Sequence, residues 1–335
     1  MLQLSFGDLA SSYRSQLNNT RLKAEMQRLS TELATGKTSD LRAVLGGDLG
    51  NYAGIENALK ELSAYKIANS EAKLFTETLQ NSLENIQNST SEIAPALLLA
   101  GSSNEATLIQ SAAADARTRF ASVVSVLNTK IADRAILGGT ATGSDALADS
   151  ETMLAELQTA IATETTAAGV EAVVEAWFDD LGGGFETSGY LGDTTSLDPF
   201  RISQNEKADL SFRADDQNLR DLMKGYAMAA LVADGALSGS HEERVSLIGT
   251  AATRLLSSDY GLAQMRAGIG SLEGKIDTAK ARNNAEKAAL EITRSELVAV
   301  DPYQAATELQ AAETQLQMLF AITARLSRLS LAEYL

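Results

Sequence analysis

No cysteine occurs among the 335 residues, which excludes disulfides and thiolate metal sites and leaves either side of a membrane open as a location. Histidine is nearly absent too: His241 stands alone, so no second imidazole is there to act as base for a serine nucleophile. Three prolines and 5% aromatics, beside abundant alanine, suit long helices packed along narrow seams better than a bulky globular core. Positive charge is scarce, 28 Lys and Arg against 44 Asp and Glu. The net −16 argues against general affinity for nucleic acid or anionic lipid, whose phosphates are bound by clustered cations. No run of about 18 apolar residues exists, so no membrane insertion is expected. The opening "MLQLSFGDLASSYRSQLNN" lacks the basic region and continuous apolar core of a cleavable secretory signal.

What is present points to a mainly α chain. Hydrophobic residues make up 44%, enough for a core, and the length allows two or three domains. Residues 140–245 hold 20 acidic and 6 basic side chains, net −14, so both ends are nearly neutral. That division predicts a middle that faces water and ends that face protein.

Periodicity places the helices. From Leu262 to Val300 one row of positions seven apart reads Leu262, Ile269, Ile276, Asn283, Leu290 and Leu297, beside a second from Met265 through Leu272 and Ala279 to Val300. This is a coiled-coil stripe with polar interruptions at Asn283 and Glu286, and Pro302 stops it and opens a new helix. Tyr65, Ala72, Leu79, Ile86 and Ile93, with Leu62, Asn69, Thr76, Leu83 and Thr90, make a matching stripe. A third helix carries Leu108, Ala112, Ala116, Phe120, Val124, Leu127 and Ile131. Between Gly138 and Ser240 the pattern breaks into turns, two short helices over 151–181, and a short hairpin pairing the region of Phe200 and Ile202 with Ala208 and Leu210.

Residues that invite a chemical reading have plainer ones. His241 reads as a solvated or capping residue at a helix start, with Ser238 and Ser240 as caps. The pairs Asp179–Asp180 and Asp215–Asp216 lack EF-hand spacing and read as solvated acidic surface. "GIGSLEGK" lacks the first glycine of a phosphate loop and lies inside the heptad stripe. Trp177 reads as packing in the middle segment, and the sequon at Asn88 sits within a helix. No catalytic, cofactor or metal site is predicted.

The ends are the most telling. Phe6, Leu9, Tyr13 and Leu17, then Leu22, Met26, Leu29 and Leu33, follow helical spacing with one slip between Leu17 and Leu22. Near the C-terminus Leu309, Leu316, Leu319 and Leu326 mark one face, and Met318, Ile322 and Leu329 a second. One face suits pairing with the N-terminal helix; the other is left for neighbouring copies of the chain.

Over its full length this arrangement resembles the bacterial flagellins and the related flagellar hook–filament junction proteins, hook-associated proteins of the third kind. "MQRLSTELATGK" is similar to the family motif at Arg28, Leu29, Ser30, Gly36 and Lys37, though its glycine lies further on than in common flagellins. "ILGGTATGSDAL" is similar to the family's Gly-rich exit from the helical domain, and the closing "SLAEYL" resembles junction proteins more than filament flagellins. The resemblance implies a long antiparallel helical coiled-coil bundle formed by the N- and C-terminal segments, with a small α+β middle domain. It implies assembly helices at 1–44 and 302–335, halves of a helical core at 45–139 and 216–301, and an outward-facing acidic domain at 140–215. It also implies no enzyme but a structural subunit, exported unfolded by the flagellar type III apparatus and acting outside the cell as the hook–filament junction adaptor. Its partners would be further copies in a ring, hook-associated protein 1 and flagellin, and an export chaperone on the C-terminal helix. Subunit contacts are expected at Phe6, Leu9, Tyr13, Leu17, Leu309, Leu316, Leu319, Ile322, Leu326 and Leu329. A filament flagellin is the alternative, and a cytoplasmic coiled-coil interaction module the further one.

Overall fold

Long helices dominate because the sequence offers seven-residue apolar repeats with few breakers. The computed structural model describes residues 6–47 and 49–332, with side chains described for residue 10, 13–47 and 49–325. In order come α1 (Phe6–Thr35), the single turn α2 (Leu41–Val44), α3 (Gly50–Ser103), α4 (Ala106–Leu127), β1 (Lys130–Ile131) and β2 (Arg134–Ala135). Next are α5 (Ser150–Ala160), α6 (Ala167–Asp179), a π-helical turn (Phe185–Gly189), β3 (Phe200–Arg201) and β4 (Lys207–Ala208). Finally come α7 (Gln217–Ala233), α8 (His241–Leu297) and α9 (Pro302–Ala332). The chain divides into two compact units, one from Ala64 to Asn283 and one from the flanking residues.

In the central unit α3 and α8 run antiparallel. Lys73 meets Asp277 at 2.7 Å, Gln80 donates to the Arg266 carbonyl at 3.0 Å, and Gln87 donates to Asp259 at 2.8 Å. The predicted seam is buried at Tyr65, Asn69, Ala72, Thr76, Leu79, Leu83, Ile86, Thr90 and Ile93 on α3, and at Leu262, Met265, Ile269, Ile276, Ala279 and Asn283 on α8. Leu272, Leu290, Leu297 and, past the end of α8, Val300 are half-buried and Glu286 is exposed, so the predicted stripe loses its cover beyond Asn283. Pro95 sits within α3 without ending it. Asp216 caps α7 by accepting from the Asn218 amide, and α7 is buried continuously from Leu222 to Val232, packed on α4.

Local details depart from the sequence reading where side-chain chemistry outweighs periodicity. The third helix turns Ile109, not Leu108, to the core and ends at Leu127. Ile131 belongs to β1, because Ala132 and Asp133 take positive φ of 48° and 62° and reverse the chain into β2. Asp179 does not simply face water: it pairs with Lys224, whose side chain is 2% exposed, while Asp215 binds Arg213. His241 opens α8 and its Nε2 lies 2.9 Å from the Asn104 carbonyl, with Ser240 accepting from the Glu243 amide.

Four aromatics form one cluster in the 140–215 segment. Trp177, Phe178, Phe185 and Tyr190 pack edge-on and stacked at centroid separations of 4.7 to 6.3 Å. Tyr190 donates to the Asp193 carbonyl at 3.0 Å. Burial, reinforced by Asp215, pushes its phenol up to about 12 from the ordinary 10. A raised phenol favours the folded state fully below pH 10, and this contribution is lost as pH rises through 12. Urea unfolding across that window is expected to lose about 2 kcal/mol that a Tyr190→Phe chain does not lose. Parallel curves for the two chains would show that the phenol is not linked to folding.

Candidate functional site, the paired terminal helices

Within the flanking unit α1 and α9 lie antiparallel along each other. Ser15 Oγ and Thr323 Oγ1 are 3.5 Å apart at one end, and an antiparallel bridge joins Lys37 to Ala299 at the other. On α1 the seam is Leu22 and Leu29, 6% and 1% exposed, with Met26 half-buried between them. On α9 the alternating four- and three-residue steps Ala305, Leu309, Ala312, Leu316 and Leu319 supply it, the alanines buried and the leucines half-buried. The alanines let the helices approach closely, so burial is concentrated in few large side chains.

The end of the pair is locked. Gly36 takes φ +66°, where a Cβ costs about 1–2 kcal/mol, and its amide donates to the Glu32 carbonyl at 2.8 Å. The chain then runs beside the α8–α9 connection: Thr38 donates to the Val298 carbonyl at 2.8 Å and Val300 to that of Gly36 at 3.1 Å. Glu32, 3% exposed, accepts from the Ser39 amide at 2.7 Å and from Arg28 at 2.9 Å, so both carboxylate oxygens are engaged. Asp301 caps α9 by accepting from the Tyr303 amide at 2.8 Å, directly before Pro302.

Away from the seam, large apolar side chains are exposed among the described residues. Tyr13 and Leu17 are 65% and 53% exposed, and Met318, Phe320 and Ile322 are 58%, 48% and 57% exposed. Met318 and Ile322, four residues apart, share one flank of α9, and Phe320 lies on the other. The slip between Leu17 and Leu22 now has a geometric meaning. Five residues of helix rotate the apolar stripe about 140°, so Leu22 and Leu29 meet α9 while Tyr13 and Leu17 turn away.

Of the sequence-predicted contact residues, Leu309, Leu316 and Leu319 are therefore in the intramolecular seam, and Tyr13, Leu17 and Ile322 face outward. The side chains of Phe6, Leu9, Leu326 and Leu329 lie outside the described residues, as does the end of the "SLAEYL" motif. Sequence reasoning passed over Ala305 and Ala312, which carry the seven-residue spacing but are weakly apolar, and over Glu32, whose burial no pattern signals. Among the described residues no group of three His, Asp or Glu side chains is disposed to hold a metal ion, and no helix is long and apolar enough to cross a membrane.

Residues 239–335 match the model of the bacterial flagellin C-terminal helical region, which takes in α8 and α9. No curated protein sequence matches the chain. Among solved structures, FlgL of Bacillus cereus is similar at a TM-score of 0.51 and 14% identity, over 72% of this chain and 98% of its own. A protein of Vibrio parahaemolyticus described as a flagellar hook-associated protein has a TM-score of 0.47 and 12% identity, over 75% of this chain and 99% of its own. The matched region is that of a structural family, not of an enzyme family. The chain is thus similar to flagellins over residues 239–335, and its mainly α fold is shared with a FlgL.

Proposed function

We propose that this chain is a structural subunit of the bacterial flagellum and serves as the adaptor at the hook–filament junction. The observation that carries the reading is the α1–α9 pair, closed along its seam and apolar and exposed away from it, within a unit whose C-terminal part matches a flagellin region. Exposed apolar side chains clustered on paired helices belong to an interface. Tyr13, Leu17, Met318 and Ile322 are each a little over half exposed, so seating them against other subunits would contribute on the order of 3 to 7 kcal/mol gross, before the ordering cost of association. Neighbours in a ring, hook-associated protein 1 below and flagellin above would supply that cover. An export chaperone would hold α9 before type III export carries the unfolded chain out of the cell.

The fold likeness to a FlgL favours the junction over the filament, while the flagellin region keeps filament flagellin as the second reading. Immunogold labelling of intact flagella separates them. A single band of label where hook meets filament supports the adaptor, label along the whole filament supports flagellin, and a chain retained in the cytoplasm overturns both.

A further inference from the structure

The α3–α8 seam has a gap built into it, and a third element fills it. At Asn69 and Ala72 on α3, and at Ala279 and Asn283 on α8, the seam positions carry side chains too small or too polar to close a layer between two helices. Ile202, directly after β3 and fully buried, enters there with Ala208 and forms a small apolar cluster with Ala72, Ile276 and Ala279, bridged to the main core by Phe200 and Leu272. Both asparagines turn toward it: Asn69 Nδ2 donates to the Ile202 carbonyl at 3.0 Å and Asn283 Nδ2 to the same oxygen at 2.7 Å.

We infer that the β3–β4 hairpin is a releasable strap whose Ile202 plugs the α3–α8 seam, so that hairpin and neighbouring helix turns open and close together as a local unit. Three observations support release rather than permanent closure. The plug's fully buried residues form a cluster of their own that meets the main core through the half-buried Phe200 and Leu272, so lifting it disturbs the main core at that edge and leaves its fully buried residues packed. Its outer clasp is solvent-facing, Arg282 on Glu206 and Lys275 donating to the Lys207 carbonyl at 2.8 Å, and exposed clasps are weak and salt-screened. Closure also buries polar atoms without partners, Asn69 Oδ1 and the Tyr65 hydroxyl, and water satisfies them when the strap lifts.

Amide hydrogen exchange on the full chain tests this. Residues 200–208 and the adjoining turns of α3 and α8 are expected to exchange as one group, about a hundredfold faster than α7. Ile202→Ala should accelerate that group at least about tenfold further and leave α7 unchanged. Glu206→Gln, which leaves the plug in place, should accelerate the same group severalfold. Native strap amides as slow as those of α7, an Ile202→Ala effect spread evenly through the unit, or a Glu206→Gln chain that exchanges like the native one would each overturn the inference.

Discussion

Ile322→Asp is expected to abolish assembly while leaving the isolated chain as stable as the native one. The side chain is 57% exposed on the outward flank of α9, so in the free chain a carboxylate there stays in water. In an assembled state the same carboxylate would be buried among apolar neighbours, losing the isoleucine's transfer free energy and adding desolvation. A loss of at least about 4 kcal/mol per contact raises the assembly concentration about a thousandfold. Urea midpoints should agree within about 0.5 kcal/mol. Leu29→Ala is the contrasting change, because Leu29 is 1% exposed in the α1–α9 seam. It should destabilise the pair by about 2–5 kcal/mol. Leu319→Asp, half-buried in the same seam, should damage both. Assembly by the Ile322→Asp chain at native concentrations would remove this flank from the interface.

A second large effect is expected at Lys224, where the two ways of dismantling one ion pair differ. Lys224 is 1% exposed and donates to Asp221 at 2.7 Å and to Asp179 at 2.5 Å, while Arg220 also reaches Asp179 at 3.4 Å. Removing both carboxylates leaves a buried ammonium without a counter-charge. Asp179→Ala with Asp221→Ala should therefore cost about 3–5 kcal/mol. Lys224→Met removes the buried charge instead and fills similar space. The two aspartates it leaves are more than a third exposed and keep water, so the change should lie within about 1 kcal/mol of neutral. Equal losses in the two variants, read from denaturant midpoints, would show that shape rather than charge holds this site.

Much of the fold was legible because it obeys a repeat. The seam from Tyr65 to Ile93 and from Leu262 to Asn283 follows from spacing alone, and the start of α9 from Pro302. Sequence reasoning stopped where one residue type serves two ends. Asn69 and Asn283 look like interruptions of a heptad, yet both bind the Ile202 carbonyl, a partner far away in sequence. Asp179 looks like surface until Lys224 is placed beside it. At the termini the slip between Leu17 and Leu22 was visible, but its consequence needed the position of α9. Only then does one stripe divide into a half that packs within the chain and a half that faces away.

The absence of cysteine makes a direct measurement of the interface simple. A single thiol introduced by Ile322→Cys can be labelled in the isolated chain and again after assembly, with Ser257→Cys on α8 as a reference site. If the outward flank of α9 is where subunits meet, the thiol at 322 should react rapidly in the free chain and at least about tenfold more slowly once assembled, while the reference keeps its rate. Equal reactivity at 322 before and after assembly would mean that the flank stays in water and that the terminal pair is not the joining surface.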